Sequence, residues 1–136
     1  LIGDLNPLAV ELLQQNIDKF LSKNKSPASV QILCQDGRKW RETPEFNHTV
    51  DLLLVNLPHE AIDHFSDLFP LMRRKSQSLI RGWAIVEKSE IQTISTRLTK
   101  LFADNGATNH EITCSEIKGF SSSKSFVRIE SHQVFQ

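Results

Sequence analysis

The sequence has few of the residues that build several common kinds of site. None of its glycines is close enough to another to form a glycine-rich loop around a cofactor; they are Gly3, Gly37, Gly82, Gly106 and Gly119. There is no C-x-x-C pair and no G-x-S-x-G motif, so neither a structural zinc site nor a serine nucleophile of that kind is expected. No apolar run approaches a membrane span, and no signal peptide is visible.

Charge of either sign is not in excess. Lys+Arg and Asp+Glu each number 16, so the formal net charge is zero. Charge alone therefore gives no argument for a nucleic-acid or membrane surface. Some basic residues could cluster locally, although solvated helix ends are the default interpretation; they are Lys23, Lys25, Arg73, Arg74, Lys75 and Arg81.

Length and cysteine usage indicate one domain from a reducing compartment. The 136 residues are enough for a single domain with a core. Cys34 and Cys114 lie in apolar segments, so we expect buried, reduced thiols, as in the cytoplasm. The chain opens on Leu-Ile-Gly-Asp, which reads as a strand already under way. We therefore expect residues 1–136 to be a partial domain, processed, truncated or excised from a longer chain.

Hydrophobic periodicity predicts alternating strands and helices. The first predicted helix begins at Pro7, with Asn6 as its N-cap, and ends near residues 22–24. The second follows Pro58 and breaks at Pro70. The third begins after a Ser89 cap and ends at Ala103. Strands are predicted at 1–5, 30–34, 50–55, 79–86, 108–117 and 125–131, with Gly82 at a bulge or close approach. No helix separates the last two strands, so they form an antiparallel pair. The fold class is α/β, mostly parallel with a carboxyl-terminal antiparallel hairpin.

The stretch VDLLLVNLPH, residues 50–59, is the centre of the pattern. Its run up to Val55 predicts a strand buried on both faces, and Pro58 must end it. Asn56 then lies at the carboxyl end of a buried strand, where open α/β sheets bind ligands. A plain strand-ending turn is the alternative. The Asn56 amide offers a donor and an acceptor to the edge of a base, but it cannot act as a general base at neutral pH.

Two acidic residues end other predicted strands. Asp4 could accept hydrogen bonds from ribose hydroxyls, or could cap the following helix together with Asn6; the two roles are compatible. Asp36 could accept from an adenine amino group while Gly37 allows close approach, and the alternative is an Asp-Gly turn without a ligand. A ribose contact does not distinguish NAD from AdoMet.

The segment HEAIDH, residues 59–64, does not match a zinc motif. The metalloprotease pattern needs His at its first and fifth positions, and the fifth here is Asp63. We interpret Glu60 with His64, and His59 with Asp63, as surface pairs, and predict no metal. The remaining histidines have no partner at ligand spacing; they are His48, His110 and His132. Ser121–Ser123 is interpreted as a flexible loop.

Three segments carry a family resemblance. GDLNPLAVELLQQNI at 3–17, VDLLLVNLPHEAIDHFSDLF at 50–69 and EIKGFSSSKSFVRIES at 116–131 resemble the archaeal and eukaryotic type of tRNA (guanine-N1)-methyltransferase. That family shares its fold with the wybutosine-pathway tRNA enzymes. The likeness covers nearly the whole chain in the right order, and Asn-Leu-Pro favours the guanine methyltransferase branch.

The resemblance implies a class I AdoMet-dependent methyltransferase (Rossmann-like) fold, AdoMet as cofactor and tRNA as partner. The methyl group would go to N1 of the guanine beside the anticodon. For the cofactor, the resemblance implies contacts of Asp4, Leu5 and Asn6 with the ribose and adenosine, and of Asp36 and Gly37 with the adenine. For the target guanine it implies contacts of Asn56 and Pro58. Asn56 is also implied to contact the cofactor.

The resemblance also implies missing parts. In the family, a tRNA-binding domain, the general base, the first strand and the AdoMet loop precede the segment that begins here. The first strand would lie between strands 1–5 and 50–55, so its absence leaves a gap with two unpaired edges. Such edges favour partner exchange or self-association. We therefore expect little or no activity from this chain alone.

Two other functions compete with the enzyme-fragment hypothesis. The chain could be a complete, non-catalytic module that pairs with another protein through open sheet edges. It could also be a nucleotide-sugar or NAD-binding half-domain, with Asp4 at the ribose. Asn-Leu-Pro argues against the latter, because a hydride-transfer site does not need it.

Overall fold

The computed structural model describes residues 1–108 and 111–136, and there it confirms the α/β order. Residues 109 and 110 of the predicted strand 108–117 lie outside these ranges, and so does the prediction for His110. The strands are β1 (Ile2–Asp4), β2 (Ile32–Cys34), β3 (Leu52–Val55), β4 (Gln77–Glu87), β5 (Glu111–Gly119) and β6 (Lys124–Val134). The helices are α1 (Pro7–Asn24), α2 (Ala61–Leu68) and α3 (Ile91–Asp104). Short 3-10 helices lie between β2 and β3, at Gly37–Glu42 and Pro44–Phe46.

The strands form two sheets. β1 and β2 are a parallel pair, and the second sheet has the order β3-β4-β6-β5. β3 and β4 are parallel, whereas β6 runs antiparallel to both β4 and β5. The predicted closing hairpin is therefore confirmed, and its second strand is the one that joins β4. β1 and β3, the two strands predicted to flank a gap, belong to separate sheets.

Local sequence signals place α1 as predicted. The Asn6 side-chain oxygen accepts from the Leu8 amide at 3.0 Å, and Pro7 is the first helical residue. Lys25 ends the helix in the left-handed region, with φ of 48°. No residue of α1 is buried. Its apolar stripe therefore has little to pack against among the described residues.

The prediction that β3 is buried on both faces is wrong. Leu53 and Val55 are 7% and 4% exposed, whereas Leu52 and Leu54 are 52% and 56% exposed. Successive side chains of a strand point to opposite faces. One face of β3 therefore joins the core, and the other has no cover in the described part of the chain.

The core lies on the face of the larger sheet that α2 and α3 cover. Four phenylalanine rings meet there, with centroid separations of 5.9 Å between Phe65 and Phe102, 4.7 Å between Phe69 and Phe102, and 5.4 Å between Phe69 and Phe135. These separations are typical of favourable aromatic pairs. Fully burying such side chains stabilises the larger sheet and the two helices packed on it through the hydrophobic effect.

Gly82 is needed for this packing. A Cβ at Gly82 would lie 2.8 Å from Cζ of Phe65, closer than real contacts allow. The register of β4 with β6 passes through Gly82 without interruption. Of the two predictions for Gly82, close approach is confirmed and the bulge is wrong.

The helix ends follow the predictions in part. α2 stops at Leu68 and a 3-10 turn runs through Pro70, because proline has no amide hydrogen for the helix. α3 ends at Asp104, one residue past the predicted end at Ala103, and Gly106 follows with φ of 85°. The Ser89 cap is wrong: residues 88–90 form a 3-10 turn, and α3 begins after Glu90 without a side-chain cap.

The prediction of a buried thiol is wrong for Cys34. Cys34 is exposed at the end of β2, in the two-stranded sheet, and Cys114 on β5 is half-buried. Burial raises the pKa of the Cys114 thiol. Both cysteines are free thiols. No helix in the described ranges is long and apolar enough to cross a membrane.

Candidate active site

The Asn-Leu-Pro turn is fixed where the chain leaves β3. The Pro58 carbonyl accepts from the Ile85 amide at 2.7 Å, and the Leu57 carbonyl accepts from the Glu60 amide at 2.9 Å. Asn56 is exposed. Its amide has no hydrogen-bond partner among the residues that the structure describes. An anchored turn therefore presents a free donor and a free acceptor at the carboxyl end of a strand.

Asp4 and Asn6 both take part in capping α1. One carboxylate oxygen of Asp4 accepts from the Asn6 amide at 2.8 Å, and Asn6 in turn accepts from Leu8. The capping role is therefore observed. The other Asp4 oxygen has no partner in the described ranges, so it can accept from a ribose hydroxyl while the cap is kept, and that contact stays a prediction. Leu5, between them, is 66% exposed.

Asp36 forms an ion pair with Arg38, which the sequence analysis did not predict. Its carboxylate accepts from the Arg38 amide at 3.0 Å, from Arg38 Nε at 3.0 Å and from Arg38 Nη2 at 2.6 Å. These side-chain and backbone hydrogen bonds lower the pKa of Asp36 to about 2. The segment is therefore the capped start of a 3-10 helix and not a simple Asp-Gly turn. An Asp-x-Arg spacing just after a strand is the signal that could have indicated it.

Gly37 leaves room beside this pair. A Cβ at Gly37 would meet only Cδ2 of Leu68, at 3.9 Å, which is an ordinary contact. Nothing in the described protein therefore requires glycine there. Space left open at this position fits the predicted approach of a ligand, although that approach stays a prediction.

The 3-10 helix brings Asp36 towards α2. Arg41 Nη1 contacts Asp67 Oδ1 at 2.6 Å, which ties the 3-10 helix to α2. The hydrogen bonds to Asp36 raise the pKa of Arg38, and the charges of Glu60 and Asp67 add to that rise. Asp4 is paired in register with Cys34, two residues before Asp36. The predicted residues therefore stand at the carboxyl ends of β1, β2 and β3.

Of the two predicted surface pairs in residues 59–64, one forms and one does not. Glu60 Oε2 lies 3.9 Å from His64 Nε2, so these two side chains pair as predicted. His64 is nevertheless 5% exposed and not a surface residue, and its Nδ1 lies 3.0 Å from the Glu60 carbonyl oxygen. Asp63 faces Arg97 at 3.6 Å and not His59. Within residues 1–108 and 111–136, no group of three or more His, Cys, Asp or Glu side chains is placed to hold a metal ion.

The loop predicted to be flexible, Ser121–Ser123, is held by hydrogen bonds. The Ser123 carbonyl accepts from the Lys88 amide at 2.8 Å, and the Ser122 carbonyl accepts from Lys88 Nζ at 3.2 Å. The loop places Phe120 against His59, with ring centroids 6.4 Å apart and planes at 80°. The sequence gives no periodic signal for this pair, because it joins two loops that are far apart in the chain.

Basic residues do not form a patch at this site. Arg73 is hydrogen-bonded to Asp51, and Arg81 is 2.6 Å from Glu130 across the β4–β6 ladder. These two are therefore partly neutralised by acidic neighbours. Arg74, next to Arg73, instead donates to His48 Nδ1 at 3.2 Å.

Several solved structures share this fold. TYW2 from M. jannaschii, in complex with AdoMet, aligns with a TM-score of 0.77 at 16% identity, over 98% of this chain and 57% of that one. Trm5b from Pyrococcus abyssi aligns with a TM-score of 0.73 at 20% identity, over 98% of this chain and 37% of that one. The complex of aTrm5 with tRNALeu aligns with a TM-score of 0.60 at 20% identity, over 97% and 34%.

These similarities confirm the predicted fold class. The chain has the fold of class I AdoMet-dependent methyltransferases, and it spans between about a third and three-fifths of the length of those three structures. No protein-family profile and no curated protein sequence matches it.

Proposed function

We propose that residues 1–136 form part of the catalytic domain of an AdoMet-dependent methyltransferase that modifies N1 of a guanine beside the tRNA anticodon. The observation that carries the proposal is the free Asn56 amide on the turn anchored by Pro58 and Ile85. Two kinds of tRNA enzyme share the fold, TYW2 and Trm5. Asn-Leu-Pro favours the guanine methyltransferase of the two.

The residues at the ends of β1 and β2 fit AdoMet in part. The free oxygen of Asp4 can accept from a ribose hydroxyl, and Leu5 and Asn6 border it. At Gly37 the protein leaves room for at least a methyl group, which is compatible with close approach of an adenine. Asp36 fits less well, because Arg38 already occupies both of its oxygens. An adenine amino group would have to share this carboxylate with the guanidinium.

Asn56 would orient the guanine. When bound, AdoMet supplies an electrophilic methyl group. The Asn56 amide can donate to and accept from a purine edge, and Pro58 fixes the turn that presents it. Because an amide does not accept a proton at neutral pH, the N1 proton must leave to a different group. Asn56 and Pro58 therefore position the guanine and disfavour a nucleobase that is not aligned with the Asn56 amide.

The separation of β1 from β3 supports the view that the domain is partial. The two strands are parallel to their neighbours but share no ladder, and Leu52 and Leu54 of β3 are exposed. A parallel strand placed between them would satisfy both open edges. We expect little methyl transfer from the chain until this gap is filled.

tRNA recognition then depends on more than these residues. The chain has zero net charge, so it lacks the electrostatic footprint of a complete RNA-binding surface. We propose that the tRNA is bound mainly by parts of the enzyme other than residues 1–136. Both cysteines are free, which fits work in the reducing cytoplasm.

A second candidate is a non-catalytic module that pairs with another protein or with itself. Its support is the apolar surface exposed near the open edges: Leu5, Leu8, Leu12, Leu52 and Leu54 are each 52% to 70% exposed. Large exposed apolar patches mark interaction sites. AdoMet binding separates the two candidates, because the second one does not need a cofactor.

The test is calorimetric titration of the full-length product of the gene with AdoMet. We expect binding that Asp4→Asn weakens roughly 10- to 100-fold, since the ribose hydroxyl loses its hydrogen bond to a charged acceptor. Asn at this position keeps the cap on Asn6. Asp18→Asn, on the exposed side of α1, is the matched control and should leave the affinity unchanged. No AdoMet binding, or equal effects of the two variants, would overturn the proposal.

A further inference from the structure

We infer that the Phe120 and His59 rings form a stacking platform for a nucleobase of single-stranded RNA next to the target guanine. The inference rests on the proposed function and deepens it by assigning the RNA contact at the rim of the site. Its starting point is the contact between the two rings, which come from the Asn-Leu-Pro turn and from the β5–β6 hairpin.

The hairpin loop holds Phe120 in a defined place. The amides of Phe120 and Ser121 both donate to the Lys124 carbonyl, at 2.8 and 3.0 Å, and the Lys124 amide donates to Ser121 Oγ at 3.1 Å. Lys88, just after β4, holds the other side of the loop through Ser122 and Ser123. The position of Phe120 is thus set by backbone hydrogen bonds and does not depend on burial of its ring.

The Phe120 ring is nevertheless largely open to solvent. It is 56% exposed, and His59 is exposed as well. Their edge-to-face contact, with planes at 80°, leaves ring surface free for a further flat group. An ordered loop that presents an exposed aromatic ring is the arrangement that proteins use to stack bases of single-stranded nucleic acids.

The platform is close to the residue proposed to hold the guanine. His59 follows Asn56 by three residues, so their Cα atoms are at most roughly 11 Å apart. A base on Phe120 and a guanine on Asn56 would therefore be near neighbours in one strand.

The platform borders an open groove that carries charges of both signs. The groove, of about 290 Å³, is lined by Arg97 and Lys124 together with Asp63, Glu87 and Glu90. Arg97 faces Asp63 at 3.6 Å, and Lys124 faces Glu87 at 3.7 Å. Lys118, also exposed, precedes the loop. Cationic side chains next to an aromatic ring can contact the backbone of the strand whose base is stacked. Stacking is tolerant of sequence, because every base has a flat face.

The test is binding of an anticodon stem-loop RNA that carries 2-aminopurine beside the target guanine. The full-length wild-type gene product should bind it and quench its fluorescence, and every variant is made in that protein. Phe120→Leu keeps an apolar side chain but cannot stack, so we expect affinity to fall about 5- to 30-fold and quenching to be lost. Phe120→Trp should keep the affinity and the quenching within about twofold of the wild-type values. Phe20→Leu, a change at another exposed phenylalanine on α1, is the matched control and should change neither.

All four proteins are compared by thermal unfolding and titrated with AdoMet. If Phe120→Leu binds and quenches like Phe20→Leu, or if wild type binds AdoMet but not the RNA, the inference is wrong. If Phe120→Trp loses binding with an unchanged melting temperature, the inference is equally wrong. Loss of AdoMet binding in wild type, with RNA binding that still depends on Phe120, would instead refute the methyltransferase function alone.

Discussion

The two halves of the molecule differ in how they are stabilised. The half built from β3 to β6 with α2 and α3 buries a continuous core, in which Phe65, Phe102, Leu98 and Ile80 are fully buried. The half built from β1, α1 and β2 contributes no buried residue to that core. The candidate site draws Asn56 from the first half and Asp4 from the second. The half with the core therefore supplies a rigid frame. The half built from β1, α1 and β2 needs further residues packed against it before it can hold a ligand firmly.

The largest contrast is expected between two phenylalanines. Phe102→Ala should lower the free energy of unfolding by about 3–5 kcal/mol, because it leaves a cavity among the core rings. Phe20→Ala on α1 should cost less than about 1 kcal/mol, because Phe20 is 59% exposed. Urea denaturation of both variants measures the difference. Similar costs would mean that α1 packs as tightly as the core, which would contradict the comparison.

Two glycines give a smaller contrast within the stable half. Gly82→Ala should cost about 1–3 kcal/mol, because its new methyl group would press on Phe65. Gly119→Ala, with no atom within 4 Å of the added Cβ, should change stability by less than about 0.5 kcal/mol. Thermal unfolding of the pair measures this. If Gly82→Ala were harmless, the close packing of α2 on β4 would be incorrect.

How far sequence carries the account depends on whether a feature is local. Asn6 and Pro7 fix the start of α1 from neighbours within two residues, so the prediction succeeded. The exposure of Leu52 and Leu54 was not predictable from their apolar run, since it depends on which elements cover the second face of β3. Asp36 and Phe120 show the same limit. The partner of Asp36 is two residues away but needs a 3-10 turn, and the partner of Phe120 is His59 across the fold.

The pair of Asp36 and Arg38, at the start of the 3-10 helix that contacts α2 through Arg41, makes stability depend on acid pH. Hydrogen bonds to Arg38 lower the pKa of Asp36 to about 2 from an ordinary 3.8. The stabilisation is therefore complete above the ordinary value and is lost as pH falls from about 4 towards 2. We expect the stability difference between wild type and Asp36→Asn to shrink over that window in urea titrations. A difference that stays constant from pH 5 to 2 would contradict the pairing.

The smallest effect concerns the two thiols. Cys34, in the half built from β1, α1 and β2, is exposed, whereas burial raises the pKa of Cys114 in the half built from β3 to β6. Iodoacetamide should therefore label Cys34 first at neutral pH, and mass spectrometry of the tryptic peptides identifies the order. Urea should equalise the two rates. Faster labelling of Cys114 in the native protein would mean that β5 is less well covered than the structure shows.

The most direct test of the central claim is methyl transfer from AdoMet to tRNA by the full-length gene product. We expect methylation of a transcript with guanine beside the anticodon and none when adenine replaces it. Asn56→Ala should lower kcat/KM roughly 10- to 100-fold, since hydrogen bonds to the guanine are lost, while Asn105→Ala after α3 leaves it unchanged. Methylation that is indifferent to Asn56, or that occurs equally without the guanine, would contradict the account.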